Sequence, residues 1–274
     1  MFDVVLLFRE ALYGALVIAL ACSALGVWVV LRRIVFVGAA LAQLSSAGIA
    51  LALWLAGVSA GFAGLSAHPV ALSLFITLAG ALFFAESGRT RIPADALIGT
   101  TYAVAAAAGI LLVAKAVHGE AHDIFLSGNI LGITRLDTLI LLGVAIPVLL
   151  VHIVLYKEFL FVSFDRETAR TVGYGVARWN LLLYLTLGLV ITFSMQFAGV
   201  MLVFNYLVLP AVAGLLVARS MRGMFAVAVG SGLLATLVGF VLSVPFDLPT
   251  GPAIIAVSGL FVLIAWLVRL AQHR

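Results

Sequence analysis

Four residues within six positions, His118, Glu120, His122 and Asp123, make the densest set of candidate metal ligands in the chain. Imidazole and carboxylate suit zinc and other divalent first-row cations. A bent loop or one helical turn around Gly119 would bring His118 and His122 to one face. Two readings are open: transient metal contact at the entry to a path, or a solvated loop whose polar residues mark a membrane boundary.

A second set is neutral. Gln43, Ser45 and Ser46 fall at mid-depth in the apolar run 34–57, where helical spacing puts Ala39, Gln43 and Ser46 on one face. Buried amides and hydroxyls in lipid need partners, so this face points to a bundle interior or a water-filled path. Interhelical bonding and path lining are both open for Gln43. Asn205 and Gln196 are also polar and intramembrane; helix-to-helix bonding accounts for them, and Asn205 joins Gln43 and Ser46 as a neutral candidate for lining a path.

A third set is Val162 to Arg178, V-S-F-D-R-E-T-A-R-T-V-G-Y-G-V-A-R, the one long polar segment. It concentrates Asp165, Arg166, Glu167, Arg170 and Arg178 in a chain that is only 9% charged. A lipid-embedded chain that keeps one amphiphilic, helix-compatible segment in water offers it to a soluble partner. Within it, Phe164, Asp165, Arg166, Glu167 and Arg170 are the expected contact residues, and the whole coupling segment covers about residues 157–178.

Some chemistries are missing from this sequence. The only lysines, Lys115 and Lys157, are followed by Ala and Glu, so there is no phosphate-binding G-x-x-x-x-G-K-[ST] loop. No Ser or Cys sits in a G-x-S-x-G elbow. The chain is expected not to be an enzyme, and its energy source is expected on another polypeptide.

The elements that must position these residues are membrane helices. Of 274 residues, 65% are hydrophobic, far above the ~45–50% of soluble domains. A net charge of +4 comes from scattered basic residues that form no nucleic-acid surface. The single cysteine, Cys22, allows no intrachain disulfide. The first apolar stretch merges into a full span, and no cleaved leader is expected. Runs of about 20 apolar residues place helices near 11–31, 35–57, 67–86, 94–117, 136–156, 179–196, 198–218, 223–244 and 252–271. The pair meeting around Gln196 and Phe197 has almost nothing polar between its members, which leaves eight or nine spans.

With nine spans and the N-terminus outside, Arg32, Arg33, Arg89, Arg91, Lys157, Arg166, Arg170, Arg178, Arg219, Arg222, Arg269 and Arg274 share one side. Arg9, Lys115 and Arg135 share the other. The first side is cytoplasmic by the positive-inside rule, and the coupling segment lies on it. His152 is expected at the cytoplasmic interface, and Pro147 and Pro210 at helix kinks. The fold class is an all-α integral membrane protein, one domain over 1–274, a polytopic bundle of eight or nine helices in a prokaryotic cytoplasmic (inner) membrane.

The sequence resembles the permease subunits of ABC importers for zinc, manganese and iron over essentially its full length. The resemblance rests on Val30-Leu31-Arg32-Arg33, Gly38-Ala-Ala-Leu41 with Gly48-Ile-Ala-Leu51, Asp95-Ala-Leu-Ile98-Gly99 and Gly128-Asn129-Ile130-Leu131. It continues in Ser163-Phe164-Asp165 with Ala169-Arg170 and Gly173, in Gly199-Val-Met-Leu202-Val203 with Leu209-Pro210-Ala211, and in Asp247-Leu248-Pro249-Thr250-Gly251-Pro252-Ala253-Ile254. Seven pieces in the family's order make a specific match.

The resemblance implies a homodimer or paired permeases in membrane lipid, with a cytoplasmic ATPase docked on the coupling segment of each. It also implies an extracytoplasmic metal-binding protein that delivers the cargo. ATP would be bound on the partner subunit and no cofactor on this chain. The cargo would be a divalent metal, zinc first, then iron or manganese. Many members resemble Gly-Asp-Ala-Leu-Ser-His in the second span; here the Asp and His positions are Ala39 and Gln43. Either the His118, Glu120, His122 and Asp123 group takes over metal contact, or the cargo is a chelate or other small solute held by Gln43, Ser46 and Asn205. A secondary transporter is the more distant alternative, because no ionisable residue is expected at mid-membrane: Glu86 and Asp95 fall at cytoplasmic ends, and Glu120, Asp123 and Asp247 on the outer face.

Overall fold

The computed structural model describes residues 8–58, 68–86, 93–115, 130–243 and 246–272. Among the described residues ten α-helices follow one another: α1 (Arg9–Leu31), α2 (Val35–Val58), α3 (Pro69–Glu86), α4 (Ala94–Lys115), α5 (Arg135–Val154), α6 (Tyr156–Phe164), α7 (Arg166–Thr171), α8 (Val176–Val217), α9 (Met221–Ser243) and α10 (Thr250–Gln272). A 3-10 turn, Ile130–Gly132, precedes α5. Eight of these helices are long and apolar enough to cross a membrane.

The 42-residue α8 is two spans. A straight helix of that length would extend about 63 Å, about twice the hydrocarbon thickness. Gly199 breaks it with φ 73 and ψ 167, a backbone state essentially confined to glycine. Contacts with α1 show that the chain reverses there. Arg32, just past α1, bonds Asn180; Cys22, higher on α1, contacts Ser194; Gly26, between them, abuts the Leu207 carbonyl. The chain thus rises from Asn180 to Ser194 and has descended again by Leu207. Among the described residues the bundle therefore makes nine traverses. The reversal falls three residues beyond Gln196, and Pro210 lies inside a helix whose break is elsewhere.

Neighbouring helices run mostly antiparallel. Gly48 on α2 meets Ser73 on α3, while Leu44 and Leu41, earlier on α2, meet Gly80. α5 instead lies parallel to α1: Thr138 bonds the carbonyl of Glu10, and a cleft farther along joins Ala21 to Ala145. Burial separates the inner helices from the outer ones. It reaches 72% in α1 and α2 and 17% in α10. Phe75, Leu111, Ile153 and Val154 are exposed, as expected where the solvent is lipid.

Helix ends are closed locally. Thr134 and Asp137 form a reciprocal capping box at the start of α5. α1 ends in a Schellman turn in which Arg33 occupies the left-handed position (φ 59) and the Arg33 and Ile34 amides donate to Val30 and Val29. That turn fixes Arg33 outward and Arg32 inward, where it is buried.

At Gly26 an added Cβ would strike the Leu207 carbonyl, a backbone atom that cannot rotate away. Gly26→Val is expected to destabilise the protein by about 1–3 kcal/mol in detergent melts, whereas Gly143→Ala, with open space around it, should stay within about 0.5 kcal/mol. Nine traverses also put Arg9 and Gln272 on opposite faces. A membrane-impermeant thiol reagent should label Arg9→Cys in intact right-side-out vesicles and Gln272→Cys only after permeabilisation; labelling of both from one side would exclude nine. The native thiol of Cys22 is buried and should stay silent.

Candidate functional site

Two short helices carry the polar segment of residues 157–178. α6 continues almost directly from α5 through Leu155, and α7 follows after the single residue Asp165. Asp165 caps α7 by accepting the Thr168 amide at 2.9 Å. Thr168 holds the Asp165 carboxyl below its usual range, so the cap is intact at neutral pH and is lost only as pH falls through that lowered value. Gly173, at φ 92, closes α7 with Gly173 and Tyr174 amides donating back to Arg170 and Ala169.

Three small apolar side chains, Val162, Ala169 and Val176, bury the inner side of this elbow, with Phe161 and Trp179 packed on them. Phe164, Asp165, Arg166, Glu167 and Arg170 are all exposed. Phe164 is 66% exposed and Val172 65%, although each is apolar and lies on the aqueous side. Beside them opens a groove of about 390 Å³ lined by Val172, Gly173, Tyr174, Gly175, Arg178 and Trp179. Apolar knobs, mixed charges and a groove on a supported elbow form a surface suited to a protein partner.

Phe159 is the anchor behind the elbow. It is fully buried, stacks on His152 at 4.5 Å, and meets Trp28 at 5.6 Å and Trp179 at 5.4 Å. His152 is therefore packed inside, not at the headgroup interface: it is buried and its Nδ1 bonds the Val148 carbonyl one turn back.

Arg32 reaches into the same cluster. Its Nε donates to Ser163 Oγ at 2.8 Å, its Nη1 donates to Asn180 Oδ1 at 2.7 Å, and its guanidinium carbon lies 5.8 Å from the Phe159 ring centroid. Nη2 is buried without a partner. Burial, then the like charge of Arg166, bring its pKa down from 12.5 to about 10, which still leaves it charged at neutral pH. In the sequence Arg32 stands out as a topology signal and as part of the Val30–Arg33 match, with no structural role assigned to it. A signal was there: Arg32 shares a helical face with Leu25 and Trp28, both buried.

The neutral residues divide. Gln43 is buried on α2 and Ser46 partly so, and they remain on one face with Ala39. Ser45 instead binds α3, its Oγ lying 2.8 Å from Ser73 Oγ. Asn205 donates from Nδ2 to Ser258 Oγ at 3.2 Å, while its Oδ1 is buried and unpaired. Among the described residues Asn205 thus bonds α10 and not Gln43. His118, Glu120, His122 and Asp123 lie outside the described residues. Among the described residues no three His, Cys, Asp or Glu side chains converge on one point.

Known proteins resemble this chain along nearly all of its length. A manganese import system permease protein of Streptococcus gordonii is 31% identical over 267 residues, 97% of this chain and 92% of that protein. A chelated iron transport system membrane protein of Yersinia pestis is 28% identical, covering 94% of this chain and 84% of its own. The solved structure of PsaBC from Streptococcus pneumoniae in complex with Fab superposes with a TM-score of 0.80 at 27% identity, over 94% of this chain and 90% of that one. With the sequence model of the ABC 3 transport family matching residues 5–269, the nine-traverse bundle with its exposed elbow is a multi-pass membrane permease that belongs to that family.

Proposed function

We propose that this permease imports a divalent transition metal, with manganese or iron ahead of zinc. A separate cytoplasmic ATPase would drive it, docked on α6 and α7, and an extracytoplasmic binding protein would feed it. The observation that carries this reading is the exposed elbow around Phe164 and Asp165, buttressed from inside by Phe159. The permease would work as a dimer, so that closure of two ATPases on ATP pushes two elbows together. Phe164, Asp165, Arg166, Glu167 and Arg170 would take that push, and the helices behind them would open the path to the other side. The permease itself would hold no ATP and form no covalent bond.

The ranking of metals follows the names of the relatives, manganese import and chelated iron transport; the expectation of zinc first gains no support from them. A chelated cargo is the second reading. It is favoured by Ala39 and Gln43, which leave the α2 face without an ionisable ligand, and by neutral groups such as Gln43, Ser46 and the unpaired Asn205 Oδ1. A secondary transporter would need an ionisable relay at mid-depth; of the described span residues His152 is buried, but it lies at the cytoplasmic end of α5.

Phe164→Ala combined with Asp165→Ala is expected to abolish co-purification of the ATPase while leaving membrane insertion intact. Unchanged co-purification would remove the elbow from the docking surface. In proteoliposomes of the full complex, manganese or ferrous iron should accumulate only with ATP. His118→Ala with His122→Ala should lower that uptake at limiting metal; full uptake would return the loop to a plain boundary role. ATP hydrolysis with no uptake of manganese, iron or zinc would favour the chelate.

A further inference from the structure

Among the described residues Arg32 is the one buried basic side chain that ties its own turn to two further elements. It leaves the α1–α2 turn, bonds α6 through Ser163 and bonds the foot of α8 through Asn180. Ser163, which immediately precedes Phe164, passes the connection on by donating to the Phe159 carbonyl at 2.5 Å. Among the described residues no carboxylate neutralises Arg32; its acceptors are a hydroxyl and an amide, with the Phe159 ring beside it. Burying a charge on neutral partners is costly, and a Met or Leu would fill this space without that cost. A planar fork, however, fixes two acceptors at a set angle to each other, which an apolar side chain cannot do.

We propose that Arg32 is the positioning residue that carries movement of the ATPase-docked elbow into the transport helices, clamping α6, α8 and the α1–α2 turn into one moving body. This rests on the reading of α6 and α7 as the docking site. The three elements have different destinations in the bundle: α1 is its most buried helix together with α2, and α8 supplies the Gly199 hairpin. Hydrophobic packing alone lets α6 slide over its neighbours, because apolar contact is non-directional. The two forked bonds remove that slip. Nη2, buried and without an acceptor, leaves the fork one donor to take up a new acceptor when the elbow shifts. Arg166, in the exposed elbow, adds a like charge to the field at Arg32, so an acidic partner surface settling on Arg166 would relieve the clamp electrostatically.

The test uses the complete complex of permease, ATPase and binding protein in proteoliposomes, with manganese uptake and phosphate release followed together. Arg32→Lys keeps the charge and loses the fork; Arg32→Met loses both. Both variants should retain the bound ATPase and its hydrolysis, while uptake per ATP falls by about tenfold, the scale on which loss of one charge-assisted hydrogen bond acts. Asn180→Ala should show a smaller loss, and adding it to Arg32→Met should change nothing further. If Arg32→Met fails to reach the membrane, Ser163→Ala and Asn180→Ala carry the same readout.

Wild-type uptake per ATP in Arg32→Lys would overturn the proposal. So would loss of the ATPase from the complex in step with lost uptake, since Arg32 would then only shape the docking surface. Failure of the parent reading looks different: the unmodified permease would bind no ATPase or show no ATP-dependent uptake.

Discussion

In lipid, burying a Leu side chain against another helix gains little over leaving it among acyl chains, so the helices must hold together by close fit. The structure depends on that constraint. Gly26 lets α1 touch the backbone of α8 at Leu207, Gly48 lets α2 reach Ser73 of α3, and Gly239 brings α9 onto Ile254 of α10. These contacts place α1 and α2 inside, leave α3, α4 and α10 largely to lipid, and set the level at which every polar side chain sits. A side chain at any of these glycines would push a whole helix aside, because what it meets is main chain.

Polar groups then occur where two close helices can satisfy each other. Ser45 pairs with Ser73, Tyr206 with Thr236, and Asn205 with Ser258, each across one helix boundary. The cytoplasmic end follows another rule. There Phe159 gathers His152, Trp28 and Trp179 into an aromatic base, and Arg32 threads through it to bind two elements at once. Among the described residues the bundle is thus fastened by neutral pairs in its interior and by the buried Arg32 at the end that carries α6 and α7.

Much of this was legible from the residues. Apolar run lengths gave the spans to within a few residues, and the arginine asymmetry grouped Arg32 with the elbow, which the structure joins at one end of the bundle. The amphiphilic stretch around Asp165 marked the elbow itself. The break near Gln196 was visible as an ambiguity, because no polar loop divides the two spans; only the φ of Gly199 and the return of Leu207 to the level of Gly26 resolve it. His152 read as interfacial because a histidine near a helix end normally reaches water, and its burial depends on Phe159, seven residues on, folding back beneath it. Arg32 was hidden for a similar reason: beside Arg33 it looks like one more topological charge, and the Schellman turn that points one inward and the other outward has no signature without glycine.

The Gly199 hairpin also bears on how the chain comes to be in the membrane at all. Its two arms share a turn with no hydrophilic loop to be carried across, and the basic residues that flank them, Arg178 and Arg219, stand at their two feet on the same side. During synthesis neither arm has a charge on the far side to hold it in place alone. The pair is therefore built to enter the bilayer as one folded wedge, apex first, with its orientation decided by both ends being refused passage.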